Sequence, residues 1–180
     1  MKSRSILILI LALAVLTLLN PPQVYSQEKT TSWEVYFSPP AGCTTAITNE
    51  LDKAKRTILI QASEFNSSVI AKAIIQAHTR GVTVQVIFDK SHRTKKHSSA
   101  TFLSNEGITL KIDSKHNIAH NKVMIVDAET VITGSFNFTN SAELRNAENL
   151  LIIHDTSLAA RYLKNWELHA AHSEIYKARH

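Results

Sequence analysis

Residues 57–89 read TILIQASEFNSSVIAKAIIQAHTRGVTVQVIFD. The first seven, 57–63, are mostly apolar at both parities, as in a strand covered on both faces. The period then changes. Val69, Ala73, Ile74 and Ala77 recur at helical steps, which places them on one face of a helix over 67–80. Gly81 follows, in the position where helices commonly stop. Residues 82–88, VTVQVIF, form a second strand. A strand, a helix and a strand in that order build a buried sheet with helices on its faces.

The alternation continues on both sides of this unit. Upstream, 33–37 reads as a strand and 43–54 as a helix. Downstream come a short helix over 98–105 closed by Gly107, a strand at 108–112, and strands at 123–126 and 131–135 joined by a turn. A strand at 149–154 follows. A closing helix over 157–176 has Leu158, Tyr162, Leu163 and Trp166 on its buried side. Seven strands interleaved with helices predict an α/β fold, a three-layer α/β/α sandwich around a mixed, mostly buried sheet. No linker, repeat or low-complexity tract interrupts it, so 27–180 is expected to be one domain.

Residues 1–26 stand apart. Lys2 and Arg4 precede an apolar stretch from Ile6 to Leu19, and Pro21-Pro22 leads to Val24-Tyr25-Ser26. This is the pattern of a secretory signal peptide, with cleavage after Ser26 and a periplasmic or secreted product. An uncleaved anchor is the competing possibility. A stretch of 14 residues is short against the roughly 20 that a spanning helix needs. The 180-residue chain carries a net charge of +5, and removing Lys2 and Arg4 lowers this to 18 − 15 = +3. A mildly basic balance is compatible with a polyanionic partner. Cys43 is the single cysteine, so an exported chain has no internal disulfide and depends on an ordinary core; whether Cys43 links chains stays open. Despite nine histidines, no Cys/His cluster has zinc-finger spacing, and no metal ligand set is expected.

Residues 120–140 are HNKVMIVDAETVITGSFNFTN. Strand side chains alternate faces at about 3.3 Å per residue, so His120 and Lys122 point the same way, roughly 6.6 Å apart. That separation suits two groups gripping one small ligand. Asp127 has the opposite parity, which suggests an Asx-type hydrogen bond fixing the hairpin turn. Ser135 and Asn137 again stand two apart and can add a hydroxyl and an amide beside the pair. Each residue taken singly has an ordinary explanation as a solvated strand end or a turn. The combination does not: His-x-Lys, four residues, Asp, six residues, Gly-Ser-x-Asn.

That combination resembles the signature of the phospholipase D superfamily. The resemblance extends through Glu148 in LRNAENLLII and back through 64–89, covering nearly all of the mature chain. In length, single motif copy and exported character it is similar to the small bacterial endonuclease branch. The resemblance implies a phospholipase D-like fold with one motif copy per chain, and a phosphodiesterase without metal or cofactor. It also implies that His120 is the nucleophile, that Lys122 and Asn137 hold phosphate oxygens, that Ser135 lines the pocket and that Glu148 orients His120. Asp127 matches the motif aspartate, for which parity favours a structural role.

Such chemistry is physically coherent. One neutral imidazole attacks phosphorus while a protonated one gives the leaving oxygen its proton, so the pair should show a bell-shaped pH profile. Lysine and asparagine are suitable fixed donors to phosphoryl oxygens, and a carboxylate can set the histidine tautomer. No second His-x-Lys occurs in the chain. The second histidine is therefore expected from another copy, in a two-fold homodimer that brings both His120 residues to one phosphate.

Substrate class is less sharply marked. Residues 90–97, KSHRTKKH, follow a strand, and Lys90, Arg93, Lys95 and Lys96, with Lys115 and His116 near His120, suit a nucleic-acid backbone contacted without base reading. A plain solvated loop is the alternative. Phe136 and Phe138 are candidates for a lipid-facing approach or for the core. An exported nonspecific endonuclease acting on DNA and RNA is the leading expectation. A phospholipase D acting on phosphatidyl lipids, and a non-catalytic nucleic-acid-binding protein on the same fold, are the alternatives.

Overall fold

A computed structural model describes residues 31–40, 42–94 and 99–177. Residues 1–26, expected above to be a signal peptide, lie outside them, as do Lys95 and Lys96. In chain order the elements are β1 (Ser32–Ser38), α1 (Cys43–Lys53), β2 (Thr57–Ala62), α2 (Ser68–Thr79) and β3 (Thr83–Asp89). A 3-10 turn at Lys90–His92 and α3 (Ser99–Asn105) lead to β4 (Thr109–Asp113), β5 (Lys122–Val126) and β6 (Thr130–Gly134). Then come α4 (Asn140–Leu144), β7 (Glu148–His154), α5 (Thr156–His172) and β8 (Glu174–Ile175). The eight strands form one mixed sheet in the order β1-β7-β6-β5-β2-β3-β4-β8. β2, β3 and β4 run parallel, while β5, β6, β7 and β1 are joined antiparallel.

Side-chain parity divides the core in two. Ile58, Ile60, Val86, Met124, Ile132 and Ile152 face a cluster completed by Cys43, Ile47, Ile70, Ile74, Leu103 and Ala142 from α1 to α4. Leu59, Ile87, Val123, Ile125 and Val131 face the other way, against Ala159, Trp166 and Ala170 of α5. Both sheet faces are thus covered, which gives the three layers, and each fully buried aliphatic side chain contributes about 1.5–3 kcal/mol. Trp166 also donates its indole N–H to the Ile60 carbonyl at 3.1 Å, tying α5 to the centre of the sheet. Cys43 is fully buried, so its thiol is not displayed for a link between chains. Burial, then the nearby Glu143 carboxylate, pushes that thiol up.

Two sequence expectations are corrected. The closing helix stops at His172 instead of running through 176, because Ser173 turns extended and the chain forms β8 against β4. Tyr176 donates its N–H to the Leu110 carbonyl and buries its ring in the larger cluster, so the sheet has eight strands and not seven. Helix α4 was not anticipated. Thr139 caps it by accepting from Ala142 N, and Glu143 accepts from Gly42 N and Thr44 N to cap α1, whose own Gly42 has no side chain for the task.

Candidate active site

The ends of several strands converge at one edge of the sheet. Ala62 stands opposite both Phe88 and Lys122, Gly134 opposite Leu150, and Ser38 opposite Glu148. The last residues of β1, β2 and β6 thus lie beside the first of β5 and β7. Sheets of this kind carry their sites where the parallel strands end.

His120 stands two residues before β5 and is exposed, with no hydrogen bond from its ring to another described residue. Lys122, by contrast, is buried. Its Nζ donates to the His120 carbonyl at 3.0 Å and to Ser63 Oγ at 3.0 Å, which leaves one of its three N–H groups for a ligand. Ser63 Oγ donates in turn to Asn137 Oδ1 at 3.1 Å, so the Asn137 NH2 group is left as a donor. Sequence reasoning missed Ser63. Nothing local marks it, because its partners come from two distant segments. Burial pushes the Lys122 ammonium down, against the upward pull of Glu64 and Glu148. A desolvated cation of this kind is costly to the fold and strong toward an anion.

The scaffold explains the spacing Gly-Ser-Phe-Asn-Phe. Phe136 and Phe138 are fully buried, and alternation leaves Ser135 exposed and Asn137 half-buried. Phe138 meets Phe65 edge-on at 6.2 Å, and its carbonyl accepts from Asn66 N and Ser67 N. The two phenylalanines are therefore core, which removes the lipid-facing role considered for them. Ser135 N and Phe136 N both donate to the Asn149 carbonyl. A Cβ on Gly134 would sit 2.3 Å from that same oxygen, so only glycine permits the approach.

Glu148 makes a different contact from the one expected. Its carboxylate accepts from Ser135 Oγ at 2.6 Å and from Asn146 Nδ2 at 3.1 Å, not from His120. Within one chain it orients Ser135, whose Oγ also accepts from Asn149 N.

Asp127 lies at the other end of β5. Its carboxylate accepts from Lys55 N, Arg56 N and Thr57 N at 2.7–2.9 Å, and so fixes the entry to β2 instead of an Asx turn in its own hairpin. Burial pushes its carboxyl up, and these N–H groups outweigh that and hold it below its usual range. A cleft of about 360 Å³ opens beside it, with Lys53, Arg56, Glu129 and His154 in its walls. Two of its cations are already paired, Lys53 with Glu50 and Arg56 with Glu129.

Within its described part, the basic run at 90–93 is engaged with the scaffold. His92 is buried, stacks on Phe88 at 4.4 Å and places Nε2 3.1 Å from the Ser63 carbonyl, bracing the residue that bridges Lys122 and Asn137. Arg93 donates to Glu174 and Ser114, so its charge is engaged in the scaffold. Lys90 donates to the His116 carbonyl, and Lys115 is exposed. Asp113, His116, His169 and His172 also converge, a grouping too far apart in sequence for zinc-finger spacing to reveal.

Comparison with known proteins agrees with the fold and with the family that the sequence resembles. The family described as cardiolipin synthase, PLD-like domain, matches residues 47–169. A Rickettsia conorii protein named phospholipase D is 48% identical over 130 residues, 72% of this chain and 65% of that one. The chain thus spans just under two thirds of that relative's length. The solved structure of a phospholipase D family member, Nuc from Salmonella typhimurium, superposes with a TM-score of 0.78 at 36% identity, covering 82% of this chain and 99% of that one. NucT from Helicobacter pylori shares the fold at a TM-score of 0.76 and 21% identity, covering 82% of this chain and all of that one.

Proposed function

This chain belongs to the phospholipase D-like family, and on that premise we propose that it is an exported phosphodiesterase whose catalytic unit is a homodimer and whose preferred substrate is a nucleic acid. The observation that carries the reading is the relay Lys122 Nζ–Ser63 Oγ–Asn137 Oδ1 beneath an exposed His120. It assembles fixed donors for phosphoryl oxygens around a free imidazole.

In the proposed reaction, a ring nitrogen of one His120 attacks phosphorus. The phosphorus–oxygen bond to the leaving group breaks as the second His120 gives that oxygen its proton. The second imidazole, now neutral, takes a proton from water; the hydroxide attacks phosphorus and the phosphorus–nitrogen bond breaks. Lys122 and Asn137 stabilise the charge in both steps. Ser135 lines the same edge, held by Glu148.

Support for a two-fold partner comes from β1. Trp33, Val35 and Phe37 lie on one face of this edge strand at 64%, 41% and 63% exposure, beside Leu151 and Ile153 of β7. α5 packs on β4, β5 and β6 and leaves this apolar stripe uncovered. The stripe ends next to Glu148, so a second copy seated there borders the candidate site. Lys90 and Lys115, both exposed, suit a phosphate backbone.

A lipid substrate is the second reading. The name of the Rickettsia relative favours it, as does Ile118, 64% exposed two residues before His120.

Plasmid cleavage by the 27–180 protein, followed with and without excess chelator, beside His120→Ala, tests the proposal. DNA loss with wild type alone supports it. If intact wild-type dimer leaves DNA whole but hydrolyses phosphatidylcholine vesicles, the lipid reading replaces it. An inert dimer in both assays removes the enzymatic reading.

A further inference from the structure

On the α5 side of the sheet, away from the larger core, β4 ends in a carboxylate that is wholly buried. Asp113 shares parity with Lys111, whose Nζ donates to the Ala170 carbonyl of α5, so both side chains are directed at that helix. Three imidazoles meet the carboxylate. Asp113 Oδ2 lies 3.0 Å from His116 Nδ1, 2.8 Å from His169 Nδ1 and 3.2 Å from His172 Nε2. The three ring centroids are 5.0–5.4 Å apart, and one ligand atom from each of the four residues falls within 4.8 Å of every other.

We propose that Asp113, His116, His169 and His172 form a structural zinc site that clamps the loop leading to His120 onto the C-terminal end of α5.

Ligand number and chemistry fit. Three imidazoles and a carboxylate make a complete tetrahedral set for Zn2+, and bonds of about 2.0–2.1 Å place tetrahedral ligand atoms about 3.3 Å apart. The carboxylate–imidazole separations of 2.8–3.2 Å fall just short of that value, so a small outward shift of the rings admits the ion. A set of four protein ligands leaves no open position, which marks a structural and not a catalytic metal.

The surroundings point the same way. Asp113 Oδ1 accepts from Lys115 N at 3.0 Å, which orients the carboxylate and leaves Oδ2 for the centre of the cluster. His172 Nε2 is buried and near Oδ2, yet off the hydrogen-bond direction and without an aligned partner among the described residues. A cation would satisfy it. His169 and His172 sit three apart in the last turn of α5, on one face, where the helix dipole favours positive charge. His116, 44% exposed, offers an entry path.

The consequence is mechanical. Residues 113–116 begin the segment that ends at His120, and Asp89 already accepts from Ala119 N at 2.8 Å farther along it. A metal at the cluster would pin the beginning of the same segment to α5. The site lies three strand spacings from β5, about 14 Å away, and takes no part in the displacement at phosphorus.

Tag-free 27–180 protein, purified without chelator, should carry about one zinc per chain by elemental analysis. Exhaustive chelation should lower its Tm, with recovery on adding back zinc, and Co2+ substitution should give the intense visible absorption of a tetrahedral site. His169→Gln/His172→Gln should retain wild-type circular dichroism and lose zinc affinity at least about tenfold, since disturbing even a ligand's support costs that much. The proposal is overturned if zinc-incubated wild type and the double variant bind the same amount, or if Co2+ gives only an octahedral spectrum. It is overturned equally if zinc leaves wild-type Tm unchanged, in which case the cluster is a metal-free carboxylate held by imidazoles. None of these readouts depends on nuclease or lipase activity.

Discussion

Asp127 and His120 stand at opposite ends of β5, with the whole strand Lys122–Val126 between them. The motif that contains both therefore serves two places, one at the candidate reaction site and one in the scaffold. Asp127→Ala removes the acceptor of three backbone N–H groups at the entry to β2. Loss of charge-assisted bonds on this scale should cost about 2–4 kcal/mol and lower Tm by roughly 10 °C. Specific activity per folded molecule should stay close to wild type at low temperature. Because the folded carboxyl lies below its ordinary value of 3.8, its contribution is complete above that pH and lost as pH falls through the folded value. Acid titration of wild type against the variant should converge there. A variant of wild-type stability and no activity would place Asp127 in the chemistry.

Ser63 links Lys122 to Asn137 and touches no ligand in that role. In Ser63→Ala both donors lose a common anchor. A displacement approaching 1 Å should reduce kcat by about 10–100-fold with little change in KM. Unchanged kcat would show that the relay is incidental.

Lys122 is a charge held in the interior at a cost, relieved only between its lowered folded value and the ordinary 10.5 as pH rises. Lys122→Met should therefore abolish turnover while raising Tm near neutral pH by about 2–4 °C, the trade expected where function opposes stability. Thermal unfolding followed by circular dichroism checks this. A large fall in Tm would mean that the hydrogen bonds to Ser63 and His120 outweigh the desolvation.

The stripe on β1 is predicted to be the dimer face. Trp33→Asp/Phe37→Asp should give a monomer by sedimentation with an unchanged far-ultraviolet spectrum, since both side chains are more than 60% exposed in one chain. Turnover should fall with dimer content if two His120 residues share one phosphate. A fully active monomer would remove the shared site.

The hairpin that carries His120, Lys122, Ser135 and Asn137 was legible because its functional residues lie within one stretch of 18 and alternate with core residues. Phe136 and Phe138 set the parity of the second strand's exit and leave Ser135 and Asn137 to the site. Strand and helix succession, and hence the three-layer sandwich, followed from changes in hydrophobic period for the same local reason. Less local features were read less well. The end of α5 and the existence of β8 depend on pairing with β4 and on a pocket for Tyr176, which no pattern within 157–176 expresses. Whether Phe136 and Phe138 met solvent or core was undecidable until Phe65 and the backbone of 66–67 were placed against them.

By itself, then, the sequence determined the succession of the first seven strands and the longer helices, the faces they bury and the motif on β5 and β6, because these are encoded over spans of a few to about twenty residues by side-chain period and turn chemistry. Only the tertiary structure decided that Ser63, 74 residues from Asn137, bridges it to Lys122, that Glu148 holds Ser135 and not His120, and that Asp113 meets His169 across 56 residues. These contacts are fixed by strand order in a mixed sheet, and strand order is set by how the complete set of hydrophobic faces can be buried at once.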